Sequence, residues 1–437
     1  MRRDIEGLYR RSLKEDAELK YANSIKYVNS FERAGDSSLI SQKRIRALCE
    51  HLGRVNLGMR YINLPKSTAG HACAVMLESV IKSAGYKVGR ITSVADFDPH
   101  ESVFVDRAVP DIDDVSKSVA EIRSFIKANP DEVYYKEEIV FALSLLLCKL
   151  SDCTFVILEG LFDKDHSLDA ICAPYDLIVM PTVYDIDGAI EFIKPQCEAI
   201  RRGTREVISG NQKSDVYNCI SNACAMSGVR LYIPAKSQFV VTEHSFKKLS
   251  FEYGGKDGYT LRSPSYILRD CAITVIEASL AIRRSGFKLP GSAIAEGLLA
   301  VTDTLCFDVI SVMPLVIADA ASTYEETEML LKTCSEAGVD VSEISICINA
   351  DKIEDVKTLE AWFEDSKFDR MIVVCNGELD VESISTPAQS VCIFNSAKAA
   401  AKEIFSSMQI QKTPLICLGS LRFSTEIKNE LLKLMSF

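Results

Sequence analysis

The chain has 437 residues, of which 47% are hydrophobic and 25% are charged, and this profile is typical of a globular protein with two or three domains. Its formal net charge of −11 argues against a nucleic-acid-binding protein, because phosphate contacts require a concentrated basic surface.

The first segment, residues 1–24, is charged throughout and is predicted to be a helical extension exposed to solvent. It lacks the apolar core of a signal peptide. The most apolar helical stretch, which begins at Ile139, is too short to cross a bilayer and is predicted to be a buried helix. The fifteen cysteines form no C-x-x-C pair and mostly lie in apolar runs, which indicates reduced thiols in a core. We therefore expect a cytoplasmic protein with no membrane contact.

Strand-like and helix-like segments alternate through residues 25–300. The strand "MRYINL" precedes a helix predicted over residues 72–84, which is followed by the strand "KVGRITS". Two further runs, "CTFVILEG" and "YDLIVMPTV", are apolar almost throughout, as strands covered on both faces are. This repetition predicts an α/β fold whose central domain contains a doubly wound, mostly parallel sheet.

Residues 229–262 interrupt this pattern. Apolar and polar residues alternate there, and "GGKDG" marks a turn, so a small antiparallel β insertion is predicted. From residue 301 a second series of strands begins, with helices between them: "PLVIADA", "ISICINA", "DRMIVVCNG", "SVCIFN" and "PLICLGS". The sequence therefore predicts a second, smaller α/β domain over residues 301–437.

Five segments in order carry a resemblance to a known family: "IKYVNSFERAG…SQKRIRALCEHLG", "HACAVMLESVIKSAGYKVGRITS", "FVILEG…SLDA", "PLVIADAAST" and "PLICLGSLRFSTEIKNEL". Together they resemble the folylpolyglutamate synthase and dihydrofolate synthase family, ATP-dependent amide ligases of the Mur-ligase superfamily. The resemblance implies a central domain of P-loop-like topology and a Rossmann-like C-terminal domain. It also implies a chemistry in which ATP phosphorylates a carboxylate of a folate and an amino acid's amine attacks the acyl phosphate.

The family's phosphate loop, G-T-N-G-K-G-S, aligns with "KSTAGHA" at residues 66–72. The candidate nucleotide-binding residues in this segment are Lys66, Ser67, Thr68, Gly70 and His71. Gly70 stands where the family has its lysine, and other residues replace the glycines that let a backbone approach phosphate oxygens. Lys66 is a candidate for contacting an anion at the helix start, and the alternative is a solvated loop lysine. The resemblance also implies Asp319 as a ribose ligand.

Three residues form the candidate magnesium site that the resemblance implies. Ser93 and Glu159 match metal-binding residues of the family, and Glu159 ends a predicted strand, where ligands gather in open α/β sheets. Asp185 or Asp187 is the candidate to replace a histidine ligand, because Mg²⁺ accepts carboxylate oxygen readily. The alternative for Glu159 is a half-exposed strand-end acid that binds nothing.

Several residues that handle ATP in the family have no counterpart. The family's modified lysine falls in residues 196–199, which read "QCEA". Cys306 stands where an arginine contacts phosphate, and a thiol cannot offer the planar fork of donors that clamps phosphate oxygens. Losing the lysine, the arginine and the glycine cradle together would remove several kcal/mol of transition-state stabilisation.

These losses lead to a first hypothesis, that the protein is a folylpolyglutamate synthase-like, non-catalytic binding or regulatory homologue with a degraded phosphate loop. Its partner would be a folate-type small molecule, a nucleotide, or a protein such as an active ligase. The alternative is an active ATP-dependent amide ligase that adds L-glutamate to a folate, with Mg²⁺ and ATP as cofactors, and that retains Ser93, Glu159 and Asp319. A third hypothesis is an interaction protein that binds no small molecule.

Overall fold

The computed structural model of the protein describes all of the chain except a set of short segments. The residues outside the described part are 1, 36, 93, 95–96, 99–101, 161–167, 185–187, 236–237, 256, 351–352, 364–365, 376–387, 409, 411–412 and 437. Two of the predicted metal ligands, Ser93 and Asp185, and the alternative Asp187 therefore lie outside the described residues.

Seven strands form the main sheet of the central domain: β1 Arg60–Leu64, β2 Val88–Ile91, β3 Val103–Val105, β4 Phe155–Glu159, β5 Leu177–Met180, β6 Glu206–Ser209 and β7 Arg230–Tyr232. Their spatial order is β3-β2-β4-β1-β5-β6-β7. All neighbours pair in parallel except β3, which is antiparallel to β2. The predicted mostly parallel, doubly wound sheet is confirmed.

Helices cover both faces of this sheet: α1 Arg2–Asn29, α2 Gln42–His51, α3 Thr68–Ser83, α4 Ile112–Ala128, α5 Lys136–Leu150, α6 Ala189–Arg202, α7 Ser214–Ser227, α8 Tyr266–Arg284 and α9 Gly291–Leu299. Short 3₁₀ helices occupy Ser37–Leu39 and Asp169–Cys172. Alternate strand residues enter different cores, since Ile62 packs with α3 and α8 whereas Tyr61 packs with α5 and α6. Strands that are buried on both faces appear in a sequence as continuous apolar runs, which explains why these strands could be predicted.

Three element bounds differ from prediction. Helix α3 starts at Thr68, four residues before the predicted start, because the Ser67 side chain caps its first turn. Helix α1 runs through position 24, so the predicted extension ends within a helix. Residues 230–232, predicted in the β insertion, instead form β7 beside β6, because α7 returns the chain to that sheet edge in a parallel crossover.

The β insertion contains β8 Phe239–Ser245, β9 Lys248–Tyr253 and β10 Asp257–Leu261, which pair antiparallel in the order β10-β9-β8. The C-terminal sheet contains β11 Asp308–Val312, β12 Leu315–Asp319, β13 Glu343–Asn349, β14 Lys367–Val374, β15 Ser390–Phe394 and β16 Leu415–Leu418. Its order is β11-β12-β16-β13-β14-β15, with only the β11–β12 pair antiparallel among the described strands.

Four helices pack on the C-terminal sheet: α10 Tyr324–Glu336, α11 Ile353–Trp362, α12 Ala397–Ser407 and α13 Leu421–Met435. The fifteen cysteines are all free thiols, and all but Cys219 and Cys392 are buried, as the apolar runs around them predicted. Within the described part of the chain, no helix combines the length and apolarity that crossing a bilayer requires.

Candidate functional site

The candidate site lies where β1 and β4 end and helix α3 begins, the edge of a parallel sheet at which ligands usually bind. Three residues, Pro65, Lys66 and Ser67, connect β1 to α3. The Lys66 side chain is exposed, whereas Thr68 and Gly70 are buried within the first turn of the helix. The segment aligned with the phosphate loop is therefore mostly helix, preceded by a very short connection.

This short connection folds against the helix that follows it. The Ser67 hydroxyl accepts a hydrogen bond from the Gly70 N–H at 2.9 Å, and the Ser67 carbonyl accepts one from the His71 N–H at 2.8 Å. Gly70 also lies so close to the preceding chain that an added Cβ would be 2.0 Å from the Pro65 carbonyl oxygen. The amide groups of Gly70 and His71 are therefore satisfied within the protein.

The residue that follows β4 packs against the same connection. Gly160, the residue after β4, has a φ of 64°, and a Cβ there would lie 2.2 Å from the Cβ of Lys66. Glycine is required at this position both for its left-handed backbone and for the close approach. The backbone of the loop thus rests directly on the end of the neighbouring strand.

Glu159 is buried, with 4% of its surface exposed, which excludes the half-exposed acid considered as an alternative. Its Oε1 lies 2.8 Å from Nδ1 of His71, and its Oε2 accepts a hydrogen bond from Arg90 Nη1 at 2.9 Å. Burial by itself would raise the pKa of Glu159. The neighbouring His71 and Arg90 outweigh burial and lower this pKa to about 2. The carboxylate is held ionised by groups of the protein itself.

Arg90 is buried and binds a second carboxylate. Its Nε donates to Oε2 of Glu78 at 2.7 Å, while the other oxygen of Glu78 accepts from the Arg107 backbone N–H at 2.7 Å. The Arg90 guanidinium also lies 4.6 Å from the centre of the Phe104 ring. We call Glu78, Arg90, Glu159 and His71 the Arg90 network. It is a buried set of charges in which the described partners satisfy one another.

The described part of the predicted magnesium site does not fit a cation. Both Glu159 oxygens are engaged by nitrogen atoms, and the adjacent positive charge of Arg90 disfavours a cation at that carboxylate. Among the described residues, no three His, Cys, Asp or Glu side chains are grouped so that they could hold a metal ion. We therefore derive no step that passes through magnesium.

The C-terminal domain closes over the start of α3. The Thr68 hydroxyl donates to the Ala320 carbonyl at 2.8 Å, and Nε2 of His71 lies 3.3 Å from the Asp303 carbonyl oxygen. A carboxylate and a carbonyl can only accept, so the two His71 contacts form together only when the imidazole carries both protons. His71 then joins β4 of the central domain to the segment that leads into the C-terminal sheet.

The side chain of Asp319, the predicted ribose ligand, forms its hydrogen bonds within the C-terminal domain. Its Oδ2 accepts from the Phe307 N–H at 2.7 Å and its Oδ1 accepts from the Ala321 N–H at 2.8 Å. Burial, which outweighs these two bonds, raises the pKa of Asp319 to about 7. Phe307 has a φ of 58°, so this carboxyl group holds a residue in a backbone conformation rare for side chains other than glycine. Cys306 beside it is fully buried.

The structure brings together some predicted site residues and adds others. Ser67, Thr68, Gly70 and His71 gather at the start of α3, and His71 contacts Glu159. Sequence reasoning missed the cation that completes this group, Arg90. A signal was present, because an arginine in "KVGRITS" and a glutamate in "AVMLESV" are charges inside apolar runs, and such charges are buried only when paired.

The pKa of Glu159 predicts a pH dependence of stability. Because the folded protein lowers this pKa from 4.5 to about 2, ionised Glu159 contributes stability above pH 4.5 that is lost as the pH falls through 2. We expect the free energy of unfolding of the wild type to fall by about 3 kcal/mol more than that of Glu159→Gln across this range. Urea denaturation at several pH values measures the difference.

A matched control is Glu121→Gln on α4, where the side chain is exposed. This variant should follow the wild type throughout the acid range. If Glu159→Gln loses stability with falling pH as steeply as the wild type does, the pairing of Glu159 with Arg90 and His71 does not govern its titration.

The fold is that of a two-domain α/β protein of the folylpolyglutamate synthase type. By sequence, the chain matches no protein-family model and no curated protein. Solved structures of folylpolyglutamate synthases share its fold. The enzyme of Thermotoga maritima is 18% identical, with a TM-score of 0.74 over 95% of this chain and 97% of the other.

Two further structures carry ligands. The folylpolyglutamate synthase of Mycobacterium tuberculosis, complexed with ADP and AMPPCP, is 17% identical over 90% of this chain and 95% of its own, with a TM-score of 0.71. A folylpolyglutamate synthase complex with AMPPCP and folate is 16% identical over 94% of this chain and 99% of its own, with a TM-score of 0.73. The predicted folylpolyglutamate synthase fold is confirmed.

Proposed function

We propose that this protein is a non-catalytic homologue of the ATP-dependent amide ligases, and that it acts by binding rather than by ligation. The observation that carries the proposal is the state of Glu159, whose two oxygens are held by Arg90 and His71. In the family that the sequence resembles, this position binds magnesium. An internal guanidinium here occupies one side of the carboxylate permanently, since arginine does not lose its proton in proteins.

The phosphate end of the site supports the same proposal. Phosphoryl transfer depends on a backbone cradle, a lysine, a metal ion and cationic clamps, because positioning and electrostatics supply nearly all of the catalysis. Here Gly70 stands at the lysine position and its N–H is used to cap α3, while buried Cys306 stands at the arginine position. Both are losses of charge at the point where a triphosphate would need it.

The closed contact between the domains also supports a binding role. The bond from Thr68 to Ala320 and the contact of His71 with Asp303 hold the C-terminal domain against the start of α3, the place where a triphosphate would enter. Since solved structures of this fold include a complex with AMPPCP and folate, we propose a folate-type small molecule or a protein partner, such as an active ligase, as what this protein binds.

Calorimetry with ATP in the presence of magnesium tests the loss of ATP use. We expect no saturable heat at millimolar ATP for the wild type. Glu159→Gln should behave identically, because Glu159 is engaged within the protein. Magnesium-dependent binding by the wild type that disappears in Glu159→Gln would contradict the proposal.

Two further measurements separate the remaining hypotheses. ATP-dependent addition of L-glutamate to a tetrahydrofolate would establish the alternative, an active ligase. Saturable binding of tetrahydrofolate without ATP supports a small-molecule role and excludes a protein that binds no small molecule. If neither glutamate addition nor tetrahydrofolate binding is detected, and a ligase of the same fold co-purifies with the protein, the regulatory form of the proposal is supported.

A further inference from the structure

A cavity lies at the end of the main sheet where the parallel strands begin, opposite the end that carries the candidate site. It has a volume of about 220 Å³ and lies between the sheet and the C-terminal end of α8. Five buried apolar residues line it: Ile62, Phe155, Leu177, Ala281 and Ile282. The strands β1 and β4 separate this cavity from Glu159 by their length, so it does not belong to the site described above.

Arginines surround the mouth of this cavity. Arg284 donates to the Glu206 carboxylate at 2.8 Å, and Arg230 lies 3.8 Å from the same carboxylate. Arg205 lies 3.8 Å from Oδ1 of Asp176, which also pairs at 3.1 Å with Arg60, a residue outside the cavity lining. Three guanidinium groups and two carboxylates therefore line the cavity, which leaves one surplus positive charge in its lining on a protein whose net charge is −11.

The distribution of exposure shows which groups can meet a ligand. The two carboxylates are nearly buried, with side-chain exposures of 16% for Asp176 and 12% for Glu206, whereas Arg205 and Arg230 are exposed by 54% and 66%. A single guanidinium suffices to neutralise one carboxylate, and each guanidinium has five N–H donors. The outer arginines thus keep solvent-exposed guanidinium surface beside the apolar part of the cavity.

We propose that this cavity binds a small phosphate monoester whose organic part is apolar or aromatic. The guanidinium fork matches two oxygens of a phosphate group, and the surplus positive charge of the lining favours an anion. The apolar floor formed around Phe155 and Ile282 accommodates the organic part. This inference does not rest on the proposed function, because it concerns other residues at the other end of the sheet.

Calorimetry with phenyl phosphate, inorganic phosphate and benzoate tests the proposal. We expect saturable binding of phenyl phosphate, at least about tenfold tighter than that of inorganic phosphate, because only the ester buries an apolar ring. Benzoate, which has the ring and a single charge, should bind more weakly than phenyl phosphate. Equal affinities for phenyl phosphate and inorganic phosphate would overturn the proposal, as would the absence of saturable binding.

Variants locate the binding. Arg230→Gln and Arg284→Gln should each weaken phenyl phosphate binding about tenfold, the effect of one lost hydrogen bond to a charged group. Arg283→Gln is the matched control, since Arg283 is the exposed neighbour in the last turn of α8 but does not line the cavity. Arg230 is the more exposed of the two test residues, so its variant keeps the test valid if Arg284→Gln fails to fold. Equal weakening by Arg283→Gln would show that only general surface charge attracts the ligand, and would overturn the proposal.

Discussion

Replacing Arg90 by methionine is expected to lower the free energy of unfolding by about 3–5 kcal/mol. The substitution leaves Glu78 and Glu159 buried without the guanidinium that binds both of them, at 2.7 Å and 2.9 Å. It also removes the stacking of Arg90 on Phe104. The cost comes mainly from two buried negative charges that lose their partner, since methionine itself packs well in an apolar interior.

Denaturant unfolding at neutral pH measures this loss. The matched control is Arg123→Met, because Arg123 is exposed and lies 4.3 Å from the Tyr27 ring, so that its removal costs no more than about 1 kcal/mol. Combining Arg90→Met with Glu78→Gln and Glu159→Gln should recover part of the loss, since the unpaired charges are then gone. A loss below 1 kcal/mol for Arg90→Met would show that the Arg90 network does not hold these carboxylates as ions.

Gly70→Ala is the second substitution with a large expected effect. A Cβ at this position would lie 2.0 Å from the Pro65 carbonyl oxygen and 3.1 Å from the Ser67 hydroxyl oxygen. The obstacle is backbone, which cannot rotate away, so the connection between β1 and α3 must move. We expect a net loss of about 2–3 kcal/mol, although alanine favours a helix over glycine by about 1 kcal/mol.

The same unfolding measurement tests this prediction, with Gly258→Ala as its control. Gly258 lies in β10 and has nothing within 4 Å of an added Cβ, so its variant should differ little from the wild type. A Gly70→Ala variant as stable as the wild type would mean that the connection is open in solution. The close approach of Gly70 to the Pro65 carbonyl would then not be a feature of the loop in solution.

Many residues of the candidate site could be predicted from the sequence, but the contacts among them could not. His71 and Glu159 were both candidates from the sequence, one for nucleotide and one for metal, yet they are 88 residues apart and contact each other. Arg90 is 69 residues from Glu159 and was not a candidate. An alignment to a phosphate loop assigns each residue to a ligand separately. It does not show which of these residues contact one another.

The start of α3 shows a local signal that the sequence prediction did not use. Serine is a strong helix cap, and "KSTAG" places Ser67 immediately before the helix that the structure contains. The predicted start at residue 72, which came from the alternation of strand-like and helix-like segments, did not use this cap. Local capping decided the helix boundary, because the Ser67 hydroxyl and the Gly70 N–H meet within a single turn.

The sequence by itself determined the fold. Long apolar runs are buried as strands that are covered on both faces, and their alternation with helices favours parallel strands joined by crossover connections. It also placed Glu159 at the carboxyl end of a predicted strand, and the resemblance placed Ser67 and His71 in a loop after another strand. Only the tertiary structure decided that Arg90 and His71 contact Glu159 and that Asp319 accepts hydrogen bonds from the Phe307 and Ala321 N–H groups. The physical reason is that burial of a charge depends on partners distant in the chain, and these partners become neighbours only when the sheet has formed.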